Sequence, residues 1–307
     1  MRAPFERIEP TGPETPVIVE VPHAGLELPA PYLEPLAAPA RSIARDADLY
    51  VDSLYADAAA MGASMLVARA SRYVIDLNRS EVDVDAEVVE GARPDVRLHH
   101  GLVWRTTSDG ERALSRRLSL AELHERLESV WRPYHRALAA LVEEKRHRFG
   151  LAVILAAHSM PSCERPPQRP AGNGGPSAAS AGDREHRQDK QERNGEHGPG
   201  LLGAFGKRAD VVPGSRGRRS AAAPFIDAIE THARRQGWSV RHDDPYAGGY
   251  TTQHYGRPAD SVHAVQVELA RRLYLDESTL RPLPTFDVVR AWCRGLVGAL
   301  GDLARPG

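Results

Sequence analysis

The stretch that decides the fold is LAVILAA, Leu151 to Ala157, running straight into His158-Ser159-Met160-Pro161. Seven apolar or small residues, rich in branched side chains and opened by Gly150, are too few for a helix of ordinary length. They suit a strand buried on both faces. Such a strand sits in the middle of a parallel sheet, and its carboxyl end delivers a histidine into a turn.

Working outward, PVIVEV (Pro16 to Val21) repeats the pattern and ends in Pro22-His23-Ala24-Gly25. Ser64 to Ala68, Arg72 to Asp76, Ser239 to Arg241 and Val262 to Leu269 also read as strands, and order resumes near Ala209 to Val212. Helical spacing marks Asp48 to Met61, closed by Gly62, then Leu118 to Phe149 with a bend at Pro133, Phe225 to Gln236 and Thr285 to Leu303. Tyr246 to Pro258 reads as a Gly- and Tyr-rich loop, whose Gly248-Gly249 pair allows a gate-like segment over a pocket. Strands alternating with helices imply an α/β fold, a mostly parallel central sheet covered on both faces. Ligands in such folds gather at the carboxyl ends of the strands.

Composition narrows the function. The 307 residues are 41% hydrophobic and 26% charged, with 40 basic against 41 acidic side chains and a net charge of -1. That balance does not advertise a polyanion-binding surface, so nucleic acid is not expected as a partner, while local basicity can still shape a pocket for an anionic substrate. No apolar run approaches the roughly 18 residues of a spanning helix, and Met1 to Pro13 lacks a signal-peptide core, so a cytoplasmic location without membrane contact is expected. Cys163 and Cys293 form no CxxC pair, and any metal must be held by histidines and carboxylates. Ser162 to Gly200 is Pro-, Gly- and charge-rich with almost no aliphatic residues, and reads as a disordered insertion.

His23 and His158, each at a strand end among small residues, suit a hydrolytic metal, which wants three protein ligands and an open position. Asp46 or Asp48 supplies a third ligand or caps a helix. Glu268, alone among apolar neighbours, is a candidate general base or a structural carboxylate paired with Arg271 or Arg272. Arg79, beside Asn78, presents a planar fork for a substrate carboxylate or a structural salt bridge; Arg105 and Arg257 are further cationic candidates.

Taken in order, VPHAGLELP, DADLYVDSLYADAAAMGA, SRYVIDLNRS, YHRAL, AAHSMPS, DDPYAGGYTTQHYGRP and VQVELARRLYLDE resemble the motif series of the N-formylglutamate amidohydrolase family. The resemblance runs from about residue 16 to residue 277. It implies one amidohydrolase domain over residues 1–307, with a mixed sheet between helices, like that of zinc-dependent exopeptidases (phosphorylase/hydrolase-like). It implies cleavage of N-formyl-L-glutamate to formate and L-glutamate, the last step of one route of histidine degradation. Carried over by motif, His23 and His158 become ligands of one zinc ion, with Asp46 or Asp48 completing the set. Glu268 becomes the catalytic carboxylate, and Asn78-Arg79 the grip on an acidic N-acyl amino acid. Two departures stand out. Ala156 occupies the place of an acidic residue whose loss weakens metal binding if that residue orients a ligand. The segment after HSMP is also longer and more polar than usual. These leave room for a related deacylase or carboxypeptidase-like hydrolase, a catalytically silent homologue, or a scaffold acting through its insertion.

Overall fold

A computed structural model describes residues 3–93, 98, 100–163 and 206–304. The expected disordered insertion lies, from residue 164 onward, outside the described residues.

In chain order the elements are β1 (Phe5–Ile8), β2 (Val17–Val21), α1 (Ala40–Asp46), α2 (Val51–Leu54), β3 (Ser64–Ala68), α3 (Leu120–Arg126) and α4 (Arg132–Phe149). There follow β4 (Ala152–Met160), β5 (Val211–Gly214), α5 (Ala223–Arg235), α6 (Tyr250–Tyr255), β6 (Val262–Ala270), β7 (Leu275–Asp276), β8 (Arg281–Pro282) and α7 (Phe286–Leu303). Six strands form one mixed sheet in the order β1-β3-β2-β4-β6-β5, parallel in its four central members and antiparallel at both edges.

The centre of the sheet is where the apolar runs predict it. All nine residues of β4 and all nine of β6 are buried, and the two strands pair in register from Ala152 with Val262 to Met160 with Ala270. Alternation then sorts side chains between two cores. Val17, Val19, Val153, Leu155, Val265 and Val267 face α5 and α7, where Ile226, Ile229, Leu296 and Val297 meet them. Ile18, Ile154 and Ala264 face α4, against Leu138 and Leu141. Each large aliphatic side chain so buried contributes about 1.5–3 kcal/mol.

Several sequence expectations change. Asp48 to Met61 is helical only over Val51–Leu54, because Tyr50 enters at φ 66° and the chain then runs as turns to Gly62, at φ 87°. Arg72 to Asp76 is a turn, not a strand: its apolar residues fill the core, but Arg72 folds back onto Asp76. Ser239 to Arg241 gives a single bridge, Val211 with Val240. The stretch after Tyr246 contains α6. The long helix begins with Ser119 and Glu122 capping each other's backbone N–H. A π-helical segment over Leu127–Trp131 precedes α4 and places Pro133 in its first turn, where its missing N–H is tolerated.

Candidate active site

Three of the strand ends open on one cavity of about 360 Å³, lined among others by His23, Asp48, Asp76, Asn78, Arg79, His158, Gln266 and Glu268. β2 delivers His23 one residue past Pro22, while β4 and β6 carry His158 and Glu268 as opposed residues of their parallel ladder. Asp48 comes from the short link between α1 and α2, and its N–H donates to the His23 carbonyl at 2.9 Å.

His23, Asp48 and His158 form a buried group whose ligand-type atoms all lie within 4.8 Å of one another. Asp48 Oδ2 is 3.0 Å from His158 Nδ1 and 3.6 Å from His23 Nδ1. Bonds of about 2.0–2.1 Å to a tetrahedral zinc give ligand separations near 3.3 Å, which those two distances bracket. The far side of His23 is committed: Nε2 lies 2.8 Å from Asp76 Oδ1, which favours the tautomer that leaves Nδ1 unprotonated. Asp76 in turn accepts from Arg72, from Trp104 Nε1 at 2.9 Å and from the Asn78 N–H at 2.9 Å. His158 Nε2 faces Asn78 Nδ2 at 3.4 Å. Two imidazoles and one carboxylate, buried beside an open cavity, fit a divalent ion with a free coordination position.

The charges are balanced by named partners. Burial alone would raise Asp48, but its bonds to His158 and His23 hold it well below the usual carboxylate range. Burial likewise opposes ionised Asp76, and Arg72 and His23 overcome it. Glu268 differs: burial lifts its carboxyl above the ordinary value, against the pull of His158. A carboxyl of that kind suits proton transfer. Gln266 Nε2 donates to Glu268 Oε1 at 2.7 Å and orients it.

Asp46 also lines the cavity, but its Oδ2 accepts from the Tyr73 hydroxyl and from the Ser108 N–H at 3.0 Å, outside the three-residue group. Arg271 does not pair with Glu268; it donates to the carbonyls of Arg45 and Ala47 and lies 3.3 Å from Asp48 Oδ1. Arg272 pairs with Asp210. Among the cavity arginines, Arg72, Arg271 and Arg45 are paired with Asp76, Asp48 and Asp109. Arg79 donates from Nε to the His100 carbonyl at 2.9 Å, and among the described residues no carboxylate pairs with it. Arg105 and Arg257 stand elsewhere, beside Asp85 and Asp260. Gly248-Gly249 forms part of the wall, and a Cβ on Gly249 would lie 2.4 Å from Asn78 Nδ2. The sequence gives no residue-level signal for Asp76, Trp104 and Gln266 as site residues, although Asp76 lies within SRYVIDLNRS and Gln266 within VQVELARRLYLDE.

A mixed sheet that gathers the imidazoles of His23 and His158 and the buried carboxylates of Asp46, Asp48, Asp76 and Glu268 around one cavity at its strand ends has a layout suited to an α/β hydrolase. The comparisons make that class particular. Residues 15–275 match the N-formylglutamate amidohydrolase family model, and the chain belongs to that family. It is 31% identical over 266 residues to the N-formylglutamate deformylase of Pseudomonas putida, covering 86% of this chain and 83% of that one. It is also 31% identical over 268 residues to the Pseudomonas aeruginosa N-formylglutamate deformylase, covering 85% and 83%. The crystal structure of N-formylglutamate amidohydrolase from Ralstonia eutropha superposes with a TM-score of 0.79 at 26% identity, over 98% of each chain.

Proposed function

We propose that this protein is a zinc-dependent hydrolase that cleaves N-formyl-L-glutamate to formate and L-glutamate, at the end of a route of histidine degradation. The observation that carries the reading is the buried His23-Asp48-His158 group opposite Glu268, in a chain of this family. The names of the two Pseudomonas relatives support the substrate. The zinc-exopeptidase-like fold implied by the motif series is in keeping with it.

His23, Asp48 and His158 would hold the ion. A divalent metal there would supply Lewis acidity, lowering the pKa of water toward about 7 and polarising a carbonyl. Glu268 accepts the proton of the attacking water as the formyl carbon gains oxygen, and returns it to the departing nitrogen when the C–N bond breaks. Water is consumed, and formate and the free amine leave. Arg79, the cavity arginine with no carboxylate partner among the described residues, receives a substrate carboxylate in its planar fork. A neutral formyl amino acid leaves that cation unpaired, which disfavours it.

Formate release from a panel of formyl, acetyl and succinyl amino acids tests the reading. N-Formyl-L-glutamate should be the best substrate. Preference for a larger acyl group would instead assign a related acidic N-acyl amino acid deacylase, and no turnover on any of them a binding homologue.

A further inference from the structure

One buried carboxylate beside the site has no part in that scheme. Glu20 is 0% exposed, in a strand whose other four residues are aliphatic. Its Oε1 accepts from the Thr251 hydroxyl at 3.0 Å and from the Tyr134 hydroxyl at 3.1 Å. Its Oε2 is buried with no hydrogen-bond partner among the described residues. Leaving a buried acceptor unsatisfied is costly, so a carboxylate kept there calls for an explanation beyond packing.

Its position supplies one. The ladder sets Glu20 opposite Ala156, and Ala156 opposite Gln266. Alternation therefore puts Glu20, Ala156, His158, Gln266 and Glu268 on one face of the sheet. Strands spaced about 4.8 Å apart, rising about 3.3 Å per residue, separate the Cα atoms of Glu20 and His158 by about 8 Å.

A continuous hydrogen-bonded path then runs from Glu20 into the site. Thr251, held at its hydroxyl by Glu20, donates its N–H to Asn78 Oδ1 at 3.1 Å. Asn78 Nδ2 donates to Gln266 Oε1 at 3.0 Å and faces His158. Gly249 N–H reaches the same Gln266 oxygen at 2.9 Å, and Gln266 holds Glu268. α6 has six residues and no side-chain cap, so its first turn depends on such tertiary anchors.

We propose that Glu20 is a positioning residue of the active site: through Thr251 it fixes Asn78 and the Gly249 turn, and so the placing of His158, Gln266 and Glu268. This rests on the hydrolase reading above. The competing explanation is a purely structural bond from the sheet to α4 through Tyr134.

The two hydroxyls on Oε1 separate these explanations. Thr251→Val and Tyr134→Phe each remove one hydroxyl and keep the shape. Melting temperature, zinc affinity by chelator competition, and kcat and KM on N-formyl-L-glutamate are measured for both, and for Glu20→Ala and Glu20→Gln. Thr251→Val and Glu20→Ala should lose roughly 10–100-fold in zinc affinity or kcat, with KM less changed. Tyr134→Phe should lower the melting temperature alone. Glu20→Gln, which keeps an acceptor, should recover most of the loss. Equal effects of Thr251→Val and Tyr134→Phe, or a Glu20→Ala protein altered only in melting temperature, would overturn the proposal. A wild-type protein that neither binds zinc nor releases formate would overturn the hydrolase reading, and this one with it; an active wild type with unaffected variants removes Glu20 alone.

Discussion

His158 and Glu268 stand opposite each other on β4 and β6, in the same parallel ladder that sets Ala152 against Val262. Both are buried, and each is tied to a different neighbour: His158 to Asp48 and Glu268 to Gln266. A basic group and a carboxylate are thus brought level by sheet register, although 110 positions of sequence numbering separate them. The sheet places the chemistry, and the loops complete it.

Asp46, the last residue of α1, and Asp48, in the link to α2, are separable by substitution. Asp48→Asn should abolish zinc retention and turnover, because it removes the anionic donor between two imidazoles. Asp46→Asn should keep the metal and lose some stability, since Asp46 is bonded to Tyr73 and Ser108. Metal content of the two purified proteins by elemental analysis decides it; equal metal loss from both contradicts the assignment.

Glu268→Gln keeps the shape of the side chain and can still hydrogen-bond Gln266, but cannot take a proton. Turnover should fall by about 10²–10⁴-fold with zinc stoichiometry unchanged. Retained kcat would transfer the base role to another group.

Arg79→Ala should act on substrate binding. Loss of charge-assisted hydrogen bonds worth about 1.5–3 kcal/mol raises KM by roughly 10–100-fold. Among the described residues the Arg79 side chain gives the scaffold one hydrogen bond, to the His100 carbonyl, so the melting temperature should move little. A variant with normal KM and a collapsed melting temperature would show that Arg79 is structural.

The acid limb of stability should carry the signature of His135. Burial pushes its imidazole down to about 3, against a bond to the Leu77 carbonyl that favours the charged form. The folded value lies below the unfolded value of roughly 6.5, so the unfolded chain binds the extra proton in between. Stability contributed by neutral His135 is present above that unfolded value and is lost as pH falls through the window, by up to ~1.4 kcal/mol per pH unit. Glu20 and Glu268, whose carboxyls burial raises, work in the opposite sense, so the test is a difference. Denaturation of His135→Gln beside the parent between about pH 4 and 7 should show a shallower acid decline in the variant. Identical slopes would contradict it.

Much of this was legible in the sequence, for a physical reason. The central strands are apolar on both faces, so β2, β3, β4 and β6 stand out as runs, and His23, His158 and Glu268 follow from where those runs end. The edge strands do not advertise themselves: FERI is half polar and VVPG carries a proline, as edges permit. Arg72 to Asp76 misled because a buried turn and a strand can share an apolar run. The residues that support the site from behind were beyond reach, since Asp76 meets His23 across 53 residues and Gln266 meets Asn78 across 188. Such pairings are products of the fold and leave no periodic trace.

The most direct test of the metal site is formate release from N-formyl-L-glutamate before and after removal of metal with a chelator. Turnover should disappear on chelation and return when zinc is restored. Turnover indifferent to the chelator would contradict a metal held by His23, Asp48 and His158.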